Sequence, residues 1–251
     1  MKGIIFDIDG TLMVDDKVLD GAIEVIEKIN KQKIPFCFVT NTTEVSTQHL
    51  FENLLNKGFI VRKEQIITPI VIAKKILNSK GVKSIQICYS EDLKQEFSEY
   101  EFNEKPEVVI ISDDGTGLTN SQINQIFQYF QTGSELIVLQ NTKYYKKEGK
   151  LVVDLGFYSA GFEYITGKKI QSCGKPSKLL FDFALQQMRL SKSEDVYMVG
   201  DDIEFDILGS QKLGFKGFLV KTGKYFAGIE NQFNDKPFQI IESVKNLLNI
   251  F

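Results

Sequence analysis

Two aspartates, Asp7 and Asp9, stand one residue apart behind the apolar run Gly3-Ile4-Ile5-Phe6, and Gly10-Thr11 follow them. The run reads as a short buried strand and the Gly-Thr pair as the turn that leaves it. On a continuing strand the two carboxylates would share a face and repel. At the mouth of a strand, where the chain bends, they converge on one point instead. A paired acidic site of this kind is costly without a cation in it. The residue types suit a nucleophilic carboxylate, a second carboxyl for proton transfer, and a hard metal between protein and substrate.

Three further clusters set polar or charged groups at the ends of expected strands. In Val39-Thr40-Asn41-Thr42, the Thr40 hydroxyl and the Asn41 amide can donate to phosphate oxygens. The same residue types are ordinary helix caps and loop starters. In Gly174-Lys175-Pro176-Ser177, Lys175 brings positive charge to the start of a helix, whose dipole adds to it. Taken alone, a Gly-Lys pair is a solvated turn. In Val199-Gly200-Asp201-Asp202, followed by Asp206, acids gather behind a strand. Asp201, directly after the glycine, is the better metal ligand. Asp202 and Asp206 suit a first helical turn through the dipole, and Asp206 could instead orient a metal-bound water.

These clusters need a scaffold that joins distant segments, and the hydrophobic pattern provides one. Residues 21–32 place Ile23, Ile26 and Ile29 on one helical stripe, and 34–39 form an apolar strand. Leu50, Leu54 and Leu55 line a helix closed by Gly58, and 70–77 are helical again. Further on, 169–173 reads as a strand, and Pro176 opens a helix carrying Leu179, Leu180, Phe183 and Leu185. A strand at 196–199, a helix at 206–213 and a strand at 215–220 complete the alternation. The pattern predicts an α/β fold: a Rossmann-like parallel sheet with helices on both faces. Ligands in such folds bind beyond the carboxyl ends of the strands, which sets Asp9, Thr40, Lys175 and Asp201 on one rim.

The middle of the chain predicts strands at 84–89, 108–112 and 136–139 and helices at 91–98, 121–131 and 156–165. This is the pattern of a separate, inserted α/β domain. The expected division is a core of 1–79 and 170–251 with an insert of 80–169. Within the insert, Ser112-Asp113-Asp114-Gly115-Thr116 imitates the first motif but carries serine at the nucleophile position, and it reads as a loop. The Lys/Tyr-rich stretch 143–150 reads as a hairpin or loop. It is either a solvated surface or, through Tyr144 and Tyr145, a specificity element that contacts substrate and excludes water.

The chain has 251 residues, 43% of them hydrophobic and 25% charged, which suits one large or two modest domains with a full core. A net charge of −3 argues against a nucleic-acid or membrane-surface binder, since both need a broad cationic face. The three cysteines, Cys37, Cys88 and Cys173, are widely spaced and form no CxxC pair. They predict neither a disulfide framework nor a zinc site. With no signal-like N-terminal segment and no long apolar run, the expected location is cytoplasmic.

The four polar clusters, in order and spacing, resemble the haloacid dehalogenase-like (HAD) hydrolase superfamily. Further stretches look like its NagD-type branch, which carries a C2-type cap. They are Asp20-Gly21-Ala22, Val39-Thr40-Asn41-Thr42-Thr43, Tyr144-Tyr145-Lys146-Lys147, Phe162-Glu163-Tyr164-Ile165-Thr166-Gly167 and Leu219-Val220-Lys221-Thr222-Gly223-Lys224-Tyr225. The likeness covers nearly the whole chain. It implies a magnesium-dependent phosphatase that hydrolyses small-molecule phosphomonoesters through an aspartyl phosphate. Asp7 would be the nucleophile, and Asp9 would protonate the leaving oxygen and then activate water. Thr40 and Lys175 would bind the transferring phosphoryl, assisted by the Asn41 backbone. Asp7, the backbone carbonyl of Asp9, and Asp201 would hold Mg2+, with Asp202 and Asp206 behind them. The insert would be a mobile cap, and analogy with this branch alone suggests a homodimer through it.

These roles make physical sense. A carboxylate and a phosphate approach each other only if magnesium and Lys175 offset their repulsion. An aspartate is already ionised at neutral pH, so no histidine is required. The sole histidine, His49, lies on a predicted helix and reads as structural or exposed. Near members of the branch carry serine at the position of Asp9, whereas more distant ones keep aspartate. Retention of the acid favours turnover on phosphate esters. Two alternatives stay open: a phosphoryl transferase or mutase, and a non-catalytic binding protein of the same fold. The expected partner is a small phosphorylated metabolite.

Overall fold

The computed structural model describes residues 3–88, 91–112, 117–147 and 150–250. The chain forms two compact units, one of Met1–Thr40, Gln48–Ile67 and Lys175–Phe251 and the other of Asn41–Thr47 and Thr68–Gly174.

The first unit is built on a six-stranded sheet. Its strands run in the order Gln239–Ile241, Lys216–Val220, Val196–Gly200, Gly3–Phe6, Phe36–Val39, Ile66–Ile67, and every pairing is parallel. A parallel sheet covered on both faces requires strands that are apolar on both sides. Gly3–Phe6 and Phe36–Val39 meet that requirement, being buried along their whole length. The central position of Gly3–Phe6 is what makes the first motif a meeting point, because its neighbours on either side are Val196–Gly200 and Phe36–Val39.

The helix Ala22–Lys31 buries Ala22, Val25, Ile26 and Ile29, whereas Ile23, expected on that stripe, is only half-buried. Leu50 and Leu54 of Thr47–Asn56 turn inward, but Leu55 is 44% exposed, one step around the helix from the buried line. This helix closes as expected at Gly58 (φ +95). The Gly58 N–H donates to the Leu55 carbonyl and the Phe59 N–H to that of Leu54, each at 3.0 Å, which satisfies two orphan carbonyls.

Two helix starts differ from expectation. Ser177, with non-helical backbone angles, precedes the helix Lys178–Gln187, so Pro176 lies just outside it rather than at its first position. The buried face of this helix is Leu180, Phe181 and Ala184. The segment expected to start at Asp206 starts instead at Ile203. It winds as a π-helix over Ile203–Leu208 before Gly209–Gln211 turn as an α-helix. Asp202 is its N-cap, accepting from the N–H groups of Glu204 and Phe205 at 3.0 Å each.

The second unit carries its own parallel sheet, in the order Gln171–Ser172, Glu135–Val138, Val108–Ile111, Ser84–Cys88, Glu101–Phe102. Its helices are Pro69–Lys80, Glu91–Glu96, Asn120–Gln131 and Leu155–Thr166. Thr68, Thr119 and Asp154 cap three of them with side-chain oxygens. The stretch expected as hairpin or loop pairs Tyr144–Lys147 with Lys150–Val153, antiparallel, Tyr144 opposite Val153. Ser112 is buried, and the remainder of its imitation motif, 113–116, lies outside the described residues. Among the described residues no helix is long and apolar enough to cross a membrane.

Candidate active site

The turn after the first strand separates the two leading aspartates. The Asp7 N–H still donates to the Val199 carbonyl at 2.9 Å, as a strand residue would. The Ile8 carbonyl then accepts from the N–H groups of Thr11, Leu12 and Met13 at 3.3, 2.9 and 3.0 Å, and Gly10 reverses the chain at φ +91. Asp7 is left buried and Asp9 exposed. Any side chain at Gly10 would be strained, because the backbone is left-handed and a Cβ would run into the Asp201 carboxylate unless that group shifts.

Asp7 is held on both oxygens. Its Oδ1 accepts from Lys175 Nζ at 2.5 Å and its Oδ2 from Thr11 Oγ1 at 3.0 Å. Lys175 Nζ also lies 2.7 Å from Asp206 Oδ1. The lysine side chain is 4% exposed and that of Asp206 1%. A buried ammonium of this kind is tolerable only because two carboxylates flank it. The carboxylates of Asp7, Asp201 and Asp206 present oxygens within 4.8 Å of one another. Three buried acids therefore face one buried base.

The protonation equilibria reflect that imbalance. Burial raises Asp7 above the usual carboxylate range, against the attraction of Lys175 and with the charge of Asp9 adding to the rise. Asp201 is raised well above that range by burial and by the charges of Asp7 and Asp206. Asp206 is pushed up to about 7 by burial, although Lys175 opposes the shift. Burial disfavours charge on Lys175 too, but the charges of Asp206 and Asp7 hold it above the ordinary lysine value. The cluster lacks positive charge and offers only hard oxygen donors. A divalent cation such as magnesium fits both properties.

Thr40 leaves the strand beside Gly3–Phe6 at the same carboxyl edge, since the register pairs Phe6 with Phe38. It is buried, and its N–H donates to the Ile67 carbonyl at 3.2 Å. Asn41 groups with the second unit, where its Nδ2 donates to Thr142 Oγ1 at 3.1 Å. Tyr144 is exposed and Tyr145 half-buried on the hairpin of that unit. His49 is exposed. Cys37 and Cys173 are buried, and burial pushes the Cys173 thiol up to about 12, which fits an inert packing role.

Asp7, Lys175, Asp201 and Asp206 thus come together from segments far apart in sequence. Three side chains at the site were given no chemical role by the sequence: Thr11, named there only as part of a turn, and Thr222 and Lys224, named only within a tract that carries the branch resemblance. Thr222 Oγ1 donates to the Gly10 carbonyl at 2.5 Å, and Lys224 Nζ donates to Asp202 Oδ2 at 2.9 Å. The available signal was a polar tract directly behind an apolar strand, the same signal that singled out Thr40.

The geometry defines a class, and comparison with known proteins agrees with it. Residues 4–103 match the family model of haloacid dehalogenase-like hydrolases and residues 172–247 a second, HAD-hydrolase-like model. The mouse haloacid dehalogenase-like hydrolase domain-containing protein 2 is 32% identical over 243 residues, 97% of this chain and 93% of that protein. The chain belongs to the haloacid dehalogenase-like hydrolase family. Among solved structures, it resembles a 4-nitrophenylphosphatase from Thermotoga maritima (TM-score 0.89, 26% identity, 99% and 97% of the two chains). It also resembles NagD from Escherichia coli K-12 (TM-score 0.82, 25% identity, 98% and 97%). The superfamily resemblance and its NagD-type branch are borne out.

Proposed function

We propose that this protein is a magnesium-dependent phosphatase that hydrolyses small phosphomonoesters through a phosphorylated Asp7, in the cytoplasm. The observation that carries the reading is the buried carboxylate cluster tied to one lysine, with Lys175 Nζ 2.5 Å from Asp7 Oδ1 and 2.7 Å from Asp206 Oδ1. Likeness to a 4-nitrophenylphosphatase supports the same chemistry.

An Asp7 oxygen attacks phosphorus as the ester oxygen departs, and Asp9 protonates that oxygen so that it leaves as an alcohol. Asp9, now a carboxylate, takes a proton from water. The resulting hydroxide attacks the phosphorus of the acyl phosphate, and inorganic phosphate leaves with Asp7 restored. The exposure of Asp9 suits a group that exchanges protons with leaving group and water, while the burial of Asp7 suits one that must not be hydrated. Lys175 and Thr40, with the Asn41 main chain, would hold the transferring oxygens. Asp206 keeps Lys175 charged and directed at Asp7. Magnesium, held by Asp7, the Asp9 carbonyl and Asp201, would supply the remaining charge compensation.

The test is phosphate release over a panel of phosphorylated metabolites, with magnesium and with chelator, for wild type and Asp7→Asn. Hydrolysis is expected only with the metal and should fall by more than about a thousandfold in Asp7→Asn. Full activity in the variant, or hydrolysis indifferent to chelator, would refute the reading. Phosphate appearing on an acceptor other than water would make the protein a transferase.

A further inference from the structure

The loop behind the Lys216–Val220 strand makes contacts that the reaction described above does not use. Thr222 Oγ1 donates to the Gly10 carbonyl at 2.5 Å, immediately after Asp9. The Lys224 main-chain N–H donates to Asp201 Oδ2 at 2.7 Å, and its Nζ reaches Asp202 Oδ2 at 2.9 Å. Gly223 between them has φ +57, and a Cβ there would collide with the Asp201 carboxylate and approach Gly10 Cα to 2.6 Å. Both ends of the loop are fixed. The Lys221 N–H donates to the Ile241 carbonyl at 3.0 Å, and Tyr225 packs on the cluster of Ile203, Ile207 and Leu219.

From Lys224 the contacts continue inward. Asp202 uses its other oxygen to cap Ile203–Leu208, and its N–H donates to Asp206 Oδ2 at 3.2 Å. The second oxygen of Asp206 meets Lys175, which meets Asp7. One loop therefore holds an oxygen of Asp201 directly and reaches the nucleophile through Asp202 and Asp206.

We infer that Thr222-Gly223-Lys224 is a positioning clamp for the cation-binding carboxylates, with Lys224 fixing Asp201 and Asp202 and Thr222 fixing the Gly10 turn. The inference rests on the metal-dependent reading above and adds residues to it. Lys224 and Thr222 are positioning residues, since neither needs to touch substrate. Partners behind a metal ligand typically contribute about ten- to hundredfold in metal affinity or activity. The sign is diagnostic. If Lys224 acted through its charge alone, removing it would strengthen cation binding, because like charges repel. A clamp predicts weaker binding.

The experiment is a magnesium titration followed by thermal unfolding of wild type, Lys224→Met and Thr222→Val, with kinetics on 4-nitrophenyl phosphate at low and saturating magnesium. Both variants are expected to need about tenfold more magnesium for half-maximal stabilisation. At saturating metal, kcat should recover toward wild type, with KM little changed throughout. Thr222→Val carries the test if Lys224→Met does not fold. Unchanged or lower magnesium midpoints would overturn the clamp. So would a lower metal-free melting temperature with an unchanged midpoint, which would make the loop merely structural. A wild type that magnesium does not stabilise would instead remove the metal-dependent reading itself, and the clamp with it.

Discussion

Magnesium should stabilise this protein against heat, and by more at pH 7.5 than at pH 5.5. The reasoning starts from Asp206, whose pKa is pushed up to about 7 from an ordinary 3.8 by burial. Between those two values the folded state retains a proton that the unfolded state has released. Folded metal-free protein therefore binds more protons, and its stability falls as pH rises through this window. Asp7 and Asp201 are raised as well and act with the same sign. Lys175, raised by its two acids, adds stability that is fully present below the ordinary lysine value and so stays constant here. Asp16, Glu107 and Glu163 are lowered by their hydrogen bonds. Their stabilisation is complete above the ordinary carboxylate range and fades only as pH falls further. The interval from 5.5 to 7.5 thus isolates the buried cluster. A cation at a hundred times its dissociation constant adds about 2.7 kcal/mol. For a chain of this size that is a rise of about 5–11 °C. At pH 5.5 the cation must displace protons, so the rise should shrink. With no tryptophan in the chain, far-UV circular dichroism is the suitable probe. Melting curves in magnesium and in chelator at pH 5.5, 6.5 and 7.5 make the comparison. A shift equal at all three values, or one undiminished in Asp201→Ala, would refute the argument.

Other outcomes follow from the same geometry. Asp9→Ala should slow turnover by about a hundred- to ten-thousandfold while leaving magnesium-induced stabilisation in place, since its side chain is exposed rather than part of the buried cluster; steady-state kinetics beside melting curves separate the two effects. Gly10→Ala forces a side chain into left-handed backbone and against Asp201, so it should cost about 1–3 kcal/mol by denaturant unfolding and weaken magnesium binding. Substitution of Tyr144 or Tyr145 by alanine should reorder preference among phosphorylated metabolites more than it lowers hydrolysis of 4-nitrophenyl phosphate. A uniform decrease across the panel would remove the hairpin from the specificity argument.

Much of the architecture was readable because buried parallel strands are local signals. Runs such as Gly3–Phe6, Phe36–Val39 and Val196–Gly200 are short, apolar and followed by polar turns, and all three form central strands. Helix faces were less legible. Ile23 and Leu55 fit a helical period, yet burial falls on Val25 and Leu54, because a helical period alone does not say which side the rest of the fold covers. The π-helix at Ile203–Leu208 had no signature in the apolar pattern. It follows from how Asp202 is used: its side chain caps Glu204 and Phe205, while its carbonyl accepts from both Asp206 and Ile207.

The site shows the same division between what is local and what is not. Asp7, Asp9 and Asp201 announce themselves because each stands where an apolar strand gives way to a turn, whereas Lys175 follows a short polar strand, Gln171–Ser172, and is marked only by its place between a strand and a helix. Their pairings depend on sheet order, which no single segment contains. Lys175 needs Asp206 beside it to remain charged when buried, and Asp206 reaches it only because Val196–Gly200 lies next to Gly3–Phe6. Sequence reading gave Asp206 a water-orienting alternative, since nothing in its neighbourhood names a lysine some thirty residues earlier. Lys224 was hidden for the same reason. Its function is defined by Asp201 and Asp202, which it meets because Lys216–Val220 is the next strand across. A motif identifies the groups that react. The strand order identifies the groups that hold them, so residues like Lys224 become visible only when the loops at one sheet edge are considered together.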